Sequence, residues 1–410
     1  MADENGPGVV ARWAPVGGLV LLSASAAAYE IAPASVTLSM MADLGVGEAA
    51  AGWLVSVMYL VAVVGSVPVG ILLDRTDVSR AVTAAAVALL VAGAAGWVAA
   101  REGNYAAVVA TRVLGGVSYI TVWNAGADLA GRVGPADSRA TAVGVFTASA
   151  PAGFALGQFG APLVAAAAGW PAIFPAFGGL AIFGLVLYRV GADRSGGGGD
   201  GRATPDREQF LRVFRTRAVW AICGMGLATY LLYLFLNTWL PAFLVERLAV
   251  TEARGGLLTA LFPAVGVVAR TSGGVLSDRA FDGLRRPVLF LSFGVAAPVV
   301  VGLLFVDTIG PAVGLIVAAG AATQLGVGLL FSYVREVVAE PVAATAVSLL
   351  TSVSLLGGFL APIGAGVIIE VTGAFEAAFL AAAAVAVCGL VLALVSPEVG
   401  AGSGASGARG

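Results

Sequence analysis

Gly70-Ile71-Leu72-Leu73-Asp74-Arg75 closes one long apolar run, and Gly274-Val275-Leu276-Ser277-Asp278-Arg279 closes another. The glycine, aspartate and arginine recur at a common offset of 204 positions. A second pair, Gly157-Gln158-Phe159-Gly160-Ala161-Pro162 and Gly357-Gly358-Phe359-Leu360-Ala361-Pro362, recurs at an offset of 200. Two matches at nearly one offset are hard to obtain by chance, so the chain reads as two halves that repeat each other.

The runs around these motifs are long enough to cross a membrane. A bilayer core about 30 Å thick needs roughly 20 apolar residues per helix. Such runs lie near 15–41, 51–73, 80–100, 105–128, 140–166, 171–189, 218–244, 255–277, 287–306, 311–334, 342–369 and 375–396. They predict an all-α integral membrane protein of twelve transmembrane helices. The first motif then falls after helices 2 and 8 and the second in helices 5 and 11, the positions a six-plus-six duplication demands. The expected organisation is a six-helix bundle over 1–190, a cytoplasmic linker over 191–216, a second bundle over 217–398 and a disordered tail over 399–410. The first run is too long for a cleaved signal peptide and lacks a cleavage pattern, so it counts as helix 1. In the linker, Gly196 to Gly199 reads as flexible chain. Phe210, Leu211, Val213 and Phe214 among arginines fit either an amphipathic helix on the inner leaflet or a solvated linker.

Composition excludes several chemistries. The 410 residues are 59% apolar and only 11% charged, where a soluble domain carries about 25% charged residues. All 22 basic residues are Arg, with no Lys and no His. Without Lys there is no phosphate-binding P-loop and hence no internal ATPase motor. Without His there is no Ser/His/Asp triad and no imidazole proton shuttle or ligand. Cys223 and Cys388 lie inside apolar runs and suggest neither a disulfide framework nor a thiolate metal site. No cofactor, metal or catalytic residue is expected.

Arginines in the short loops fix the orientation. With the N-terminus inside, seventeen arginines collect in the inner loops and tails and only Arg101, Arg247 and Arg254 in the outer loops. Both termini are therefore expected in the cytoplasm, with the chain multi-pass in the cytoplasmic membrane.

The doubled G-x-x-x-D-R motif with arginines after it, between helices 2 and 3 and again between 8 and 9, resembles the major facilitator superfamily, and the resemblance covers essentially the whole chain. In that family the motif continues D-R-x-G-R-R. Here the first copy runs Asp74-Arg75-Thr76-Asp77-Val78-Ser79-Arg80, with Arg80 in place of the missing arginine, and the second carries extra residues before Arg285 and Arg286. Arg112-Val113-Leu114-Gly115-Gly116 resembles the family's helix 4 arginine motif. Gly144, Gly153 and Gly157 resemble the glycine ladder of its antiporters, with Gln158 where that ladder has Pro. The resemblance implies two pseudo-symmetric bundles around a central cavity. It also implies a cytoplasmic gate formed by Gly70, Asp74, Arg75, Arg80, Asp128, Gly274, Asp278 and Arg279; the plainer reading of these charges is a topology signal.

Polar residues sort the helices, because a polar side chain facing lipid is costly. Helices 3, 6, 9 and 12 hold almost none and read as outer supports. Spacing puts Arg112, Tyr119 and Trp123 on one face of helix 4, and Tyr230, Tyr233 and Asn237 on one face of helix 7. Gln324 stands alone in helix 10. Each of these serves either helix packing or substrate contact. Three ionisable residues lie deep within the spans: Glu30, Arg112 and Arg270. At 1.5 Å per residue, Glu30 lies roughly 8 Å and Arg112 roughly 10 Å from the outer face, so the two can meet. Arg270 has no acid at its level, which leaves either an anionic substrate or helix carbonyls as its partner.

The expected function is secondary active transport of a small, anionic solute by rocking-bundle alternating access, with Glu30 as the proton-coupling site. Substrate contact is expected from Arg270, Arg112, Tyr119, Trp123, Tyr230, Tyr233, Asn237 and Gln324. A proton-driven multidrug exporter of the same fold is the alternative, supported by the glycine spacing and the aromatic residues. An integral-membrane enzyme would need clustered carboxylates with metal-binding spacing, and a sensor would be favoured by a large extra domain; neither feature is present. The expected partners are a small-molecule substrate and the lipid bilayer, with no nucleic acid, for a chain acting as a monomer.

Overall fold

A computed structural model describes residues 9–133, 139–192 and 213–397. Twelve of its helices are long and apolar enough to cross a membrane. The first, α1, runs Val9–Ile31 and passes through a 3-10 turn, Ala32–Val36, into a short helix, Thr37–Leu44. There follow α2 (Glu48–Arg75), α3 (Val78–Arg101), α4 (Tyr105–Val133), α5 (Arg139–Ala168) and α6 (Ile173–Ala192). The second set comprises α7 (Arg217–Leu248), α8 (Glu252–Ala280), α9 (Arg286–Leu303), α10 (Ile309–Glu336), α11 (Ala343–Thr372) and α12 (Phe375–Val395).

The chain forms two compact units. One comprises Met1–Val46, Trp53–Asp200 and Glu252–Ala260; the other comprises Gly47–Gly52, Gly201–Thr251 and Leu261–Gly410. Each is built around its first helix. In the first unit α1 packs against α4, α5 and α6, and in the second α7 packs against α10, α11 and α12. These two helices are the most buried, with 83% of the apolar window of α1 and 67% of that of α7 enclosed. On α3, α6, α9 and α12 the exposed residues include Val91, Phe183, Val186, Phe290, Leu380 and Val391. Such apolar outer faces suit lipid rather than water.

The repeated Gly-x-Phe-x-Ala-Pro segments do the same work in both units. A Cβ added at Gly157 of α5 would fall 2.8 Å from the Ala28 carbonyl of α1, and one added at Gly357 of α11 would fall 2.5 Å from the Leu227 carbonyl of α7. Only glycine admits backbones this close. The spacing that resembles an antiporter ladder is thus, at Gly157, the contact that seats α5 on α1. Gly144 is different: a Cβ there would meet nothing within 4 Å.

Candidate functional site

The second unit gathers three of the residues expected to contact substrate. Arg270 of α8 donates from Nε to Gln324 Oε1 of α10 at 2.9 Å. Its guanidinium carbon lies 5.5 Å from the ring centroid of Tyr233 on α7, within cation–π range. Tyr233 in turn stacks on Phe262, with centroids 5.7 Å apart. Gly266, one turn before Arg270, makes the arrangement possible, because a Cβ there would lie 2.9 Å from Gln324 Cγ. Gln324 is wholly buried and Arg270 half-buried. Among the described residues, the two terminal nitrogens of Arg270 donate to no protein acceptor, and Gln324 Nε2 meets none either.

The other helix 7 residues sit differently. Asn237 is buried and donates from Nδ2 to the Tyr233 carbonyl one turn back, at 2.8 Å. Tyr230 lines a narrow cleft with Gly226, Thr229, Phe331 and Ser354.

The first unit corrects the expected pairing of Glu30 with Arg112. Arg112 is fully buried and donates from NH2 to the Glu30 carbonyl at 2.5 Å, from NH1 to the Tyr29 carbonyl at 2.6 Å and from Nε to the Leu54 carbonyl at 2.8 Å. Its carbon lies 4.8 Å over the Tyr29 ring. The depth match is right, but the bond runs to the main chain of Glu30 and not to its carboxylate. The reason lies in Pro33, which interrupts α1 just beyond Glu30 and leaves carbonyls one turn earlier without a helical donor. All three guanidinium nitrogens are engaged by main chain, so Arg112 presents no face to a solute here. The Glu30 carboxylate is fully buried, and neither oxygen meets a donor at normal hydrogen-bonding geometry. Tyr59 and Arg112 are the side chains that act on it.

Tyr119 and Trp123 of α4 stack with centroids 6.5 Å apart, in a row that Tyr59 extends at 6.3 Å and Phe146 at 5.6 Å. Both are half-buried.

Where α8 gives way to the loop before α9, Asp278 in its last turn pairs with Arg285 at 2.8 Å, and Arg285 pairs with Glu336, at the end of α10, also at 2.8 Å. Ser277 accepts a further bond from Arg285 NH1. Hydrogen bonds to Glu336 first, and then to Asp278, hold the Arg285 guanidinium above its ordinary pKa, against partial desolvation. Arg279 is exposed, as are Arg75 and Arg80. Asp77, where the family pattern has glycine, caps α3 by accepting from the Arg80 backbone N–H at 2.8 Å. A Cβ at Gly70 or Gly274 would meet nothing within 4 Å. The side chains of Asp74 and Asp128 lie outside the described residues. Ser277, Arg285 and Glu336 were absent from the expected gate set; the Arg335-Glu336 pair ending helix 10 is the signal that points to the last. Among the described residues, no three His, Cys, Asp or Glu side chains gather as a metal site requires.

Twelve apolar helices in a duplicated arrangement, with Glu30 and Arg112 buried in the spans, define a multi-pass α-helical membrane protein. Residues 18–283 and 236–409 match the Major Facilitator Superfamily, and the chain belongs to it. Its fold is similar to that of a bacterial homologue of the human lysosomal transporter Spinster, solved in an inward-facing, unoccupied conformation. The TM-score is 0.74 at 15% identity, over 95% of this chain and 96% of that one. A nitrite extrusion protein of Bacillus subtilis is 26% identical over 247 residues, which are 59% of this chain and 60% of that protein. A probable sulfoacetate transporter of Cupriavidus necator is 28% identical over 259 residues, 57% and 59% of the two chains. The alignment thus spans about three fifths of the length of these relatives.

Proposed function

We propose that the protein moves a small anion across the cytoplasmic membrane by alternating access of its two repeated halves, with Arg270 as the anion site and Glu30 as the proton-coupling group. One observation carries the reading. Arg270 is held by Gln324 and Tyr233 while both of its terminal nitrogens remain available. A guanidinium fork in that state matches an oxyanion bidentately. Arg112, engaged by three carbonyls, offers no such fork. The names of the two relatives agree with an anionic cargo, since nitrite and sulfoacetate are both anions. Glu30 suits proton coupling because its carboxylate is wholly buried within a span, beside Tyr59 and the Arg112 guanidinium. The arginine bias of the loops supports cytoplasmic termini.

The aromatic row from Tyr59 to Phe146 favours a second reading, export of lipophilic compounds. A thermal-shift screen of purified protein against anions and lipophilic cations separates the two, since a ligand that binds the folded state raises its melting temperature. Anions should stabilise the wild type, and Arg270→Gln should abolish that shift while the protein stays folded. Stabilisation by lipophilic cations alone, unaffected by Arg270→Gln, would overturn the anion reading.

A further inference from the structure

Gln324 carries a feature that binding an anion at Arg270 does not explain. Arg270 Nε is a donor without a lone pair, so only the amide oxygen of Gln324 can face it, and the 2.9 Å bond fixes which way the amide points. By covalent geometry the amide nitrogen sits roughly 2.3 Å from that oxygen. It is therefore a second donor close beside the guanidinium. It is fully buried and, among the described residues, has no acceptor. A buried donor left unpaired is costly, and an apolar side chain of similar volume would avoid the cost. The opposite helix nevertheless makes room for it: a Cβ at Gly266 would fall 3.1 Å from Gln324 Nε2.

We infer that Gln324 is a specificity-determining residue of the Arg270 site, reading an acceptor atom on the carbon next to a carboxylate. The inference rests on the anion reading above. The guanidinium fork takes the two carboxylate oxygens, and Gln324 Nε2 donates to a third oxygen beside them. The site then selects 2-hydroxy and 2-oxo acids over plain carboxylates, because a plain carboxylate leaves the buried amide donor unpaired in the complex. One neutral hydrogen bond of ordinary strength gives a preference of about tenfold.

Three acids of one carbon skeleton test this: propionate, lactate and pyruvate, each titrated calorimetrically against the purified full-length protein. Wild type should bind lactate and pyruvate about tenfold more tightly than propionate. Gln324→Met, apolar and of similar volume, should bind all three at the propionate level. Gln324→Glu, which places a carboxylate against Arg270, should bind none of them. Equal wild-type affinity for the three acids, or an unchanged preference in Gln324→Met, overturns the role of Gln324 while leaving the anion site standing. The wild-type ratio needs no variant, so a poorly folding substitution cannot protect the idea. Arg270→Gln separates the other failure: if it binds the acids as wild type does, or if wild type binds none of the three, the anion reading falls and the role of Gln324 falls with it.

Discussion

Arg112 completes the hydrogen bonding that Pro33 removes from helix α1. Pro33 has no N–H to offer the Tyr29 carbonyl one turn back. The 3-10 turn over Ala32–Val36 pairs residues at i and i+3, so the Glu30 carbonyl also loses its α-helical donor. Arg112 NH1 and NH2 donate to these two carbonyls. The Nε bond to Leu54 adds α2 to the junction. One α4 side chain thereby joins α1 and α2 at the level of the buried Glu30 carboxylate, and the break in α1 is stable because of it.

The first prediction is a thermodynamic cycle. Arg112→Leu leaves buried carbonyls unsatisfied at roughly 1–3 kcal/mol each, so the melting temperature of the purified protein should fall steeply. Pro33→Ala restores a helical donor to the Tyr29 carbonyl. Added to Arg112→Leu, it should therefore recover part of the loss, a coupling on the order of 1 kcal/mol. Strict additivity would show that the proline and the arginine act independently.

The twelve spans were legible because hydropathy alone specifies them, and Tyr233 was legible because i, i+3 and i+7 spacing put it on one face with Tyr230 and Asn237. What brings Arg270 to Gln324 is the packing of α8 on α10. No periodicity within either helix encodes it; its trace in the sequence is glycine at the close approaches, Gly266 and Gly273 on α8 and Gly320 and Gly328 on α10. Depth placed Arg112 opposite the correct residue, Glu30, but could not distinguish main chain from side chain. Pro33 was the cue, since a proline inside an apolar run frees carbonyls one turn earlier. In the loop after α8, the residues inserted before Arg285 bring that arginine, and not Arg279, to Asp278. Glu336 joins them only because α10 ends beside this loop, a tertiary fact.

A second prediction concerns that loop. The Arg285 side chain is 15% exposed, against 63% for Asp278 and 31% for Glu336. Arg285→Gln removes both ion pairs, whereas Asp278→Asn leaves the pair with Glu336. The first should therefore lower stability more than the second, by about 1 kcal/mol once solvent screening is allowed for. Because the folded pKa of Arg285 is raised, its contribution is complete below the ordinary arginine range and is lost only as the pH rises through the folded value. Stability between pH 6 and 9 should not depend on its titration. If the order of the two variants were reversed in a melting experiment, Arg285 would not be the hub.

The repeated glycines give a third prediction. Valine at Gly157 or Gly357 must push α5 off α1 or α11 off α7, and overpacking of this kind costs about 1–3 kcal/mol. Gly144→Val, on the same α5 but with open space around it, should be nearly neutral. Equal melting temperatures for all three variants would show that the close approaches carry no weight.

Orientation can be tested with thiol labelling in intact cells, in a background where Cys223 and Cys388 are replaced. Cysteines at Gly47, Gly103 and Gly169 should react with an impermeant reagent, and one at Ser79 should not. The reverse pattern would invert the proposed topology.

The last prediction follows from the correction at Glu30. Since Arg112 is bonded to the main chain of residue 30, neutralising the side chain does not strand the guanidinium. Glu30→Gln should keep the wild-type melting temperature or exceed it, because the amide keeps the shape of a wholly buried side chain and removes an ionisable group from the interior. Transport should respond in a different way. In proteoliposomes loaded with a pH-sensitive dye, Glu30→Gln should lose solute-dependent proton movement and uptake driven by a pH gradient. Exchange of labelled for unlabelled solute, which needs no net proton transfer, should continue. Proton flux at wild-type rates in Glu30→Gln would remove Glu30 from the coupling role. A sharp fall in its melting temperature would instead show that the carboxylate is held by a contact that supports the fold.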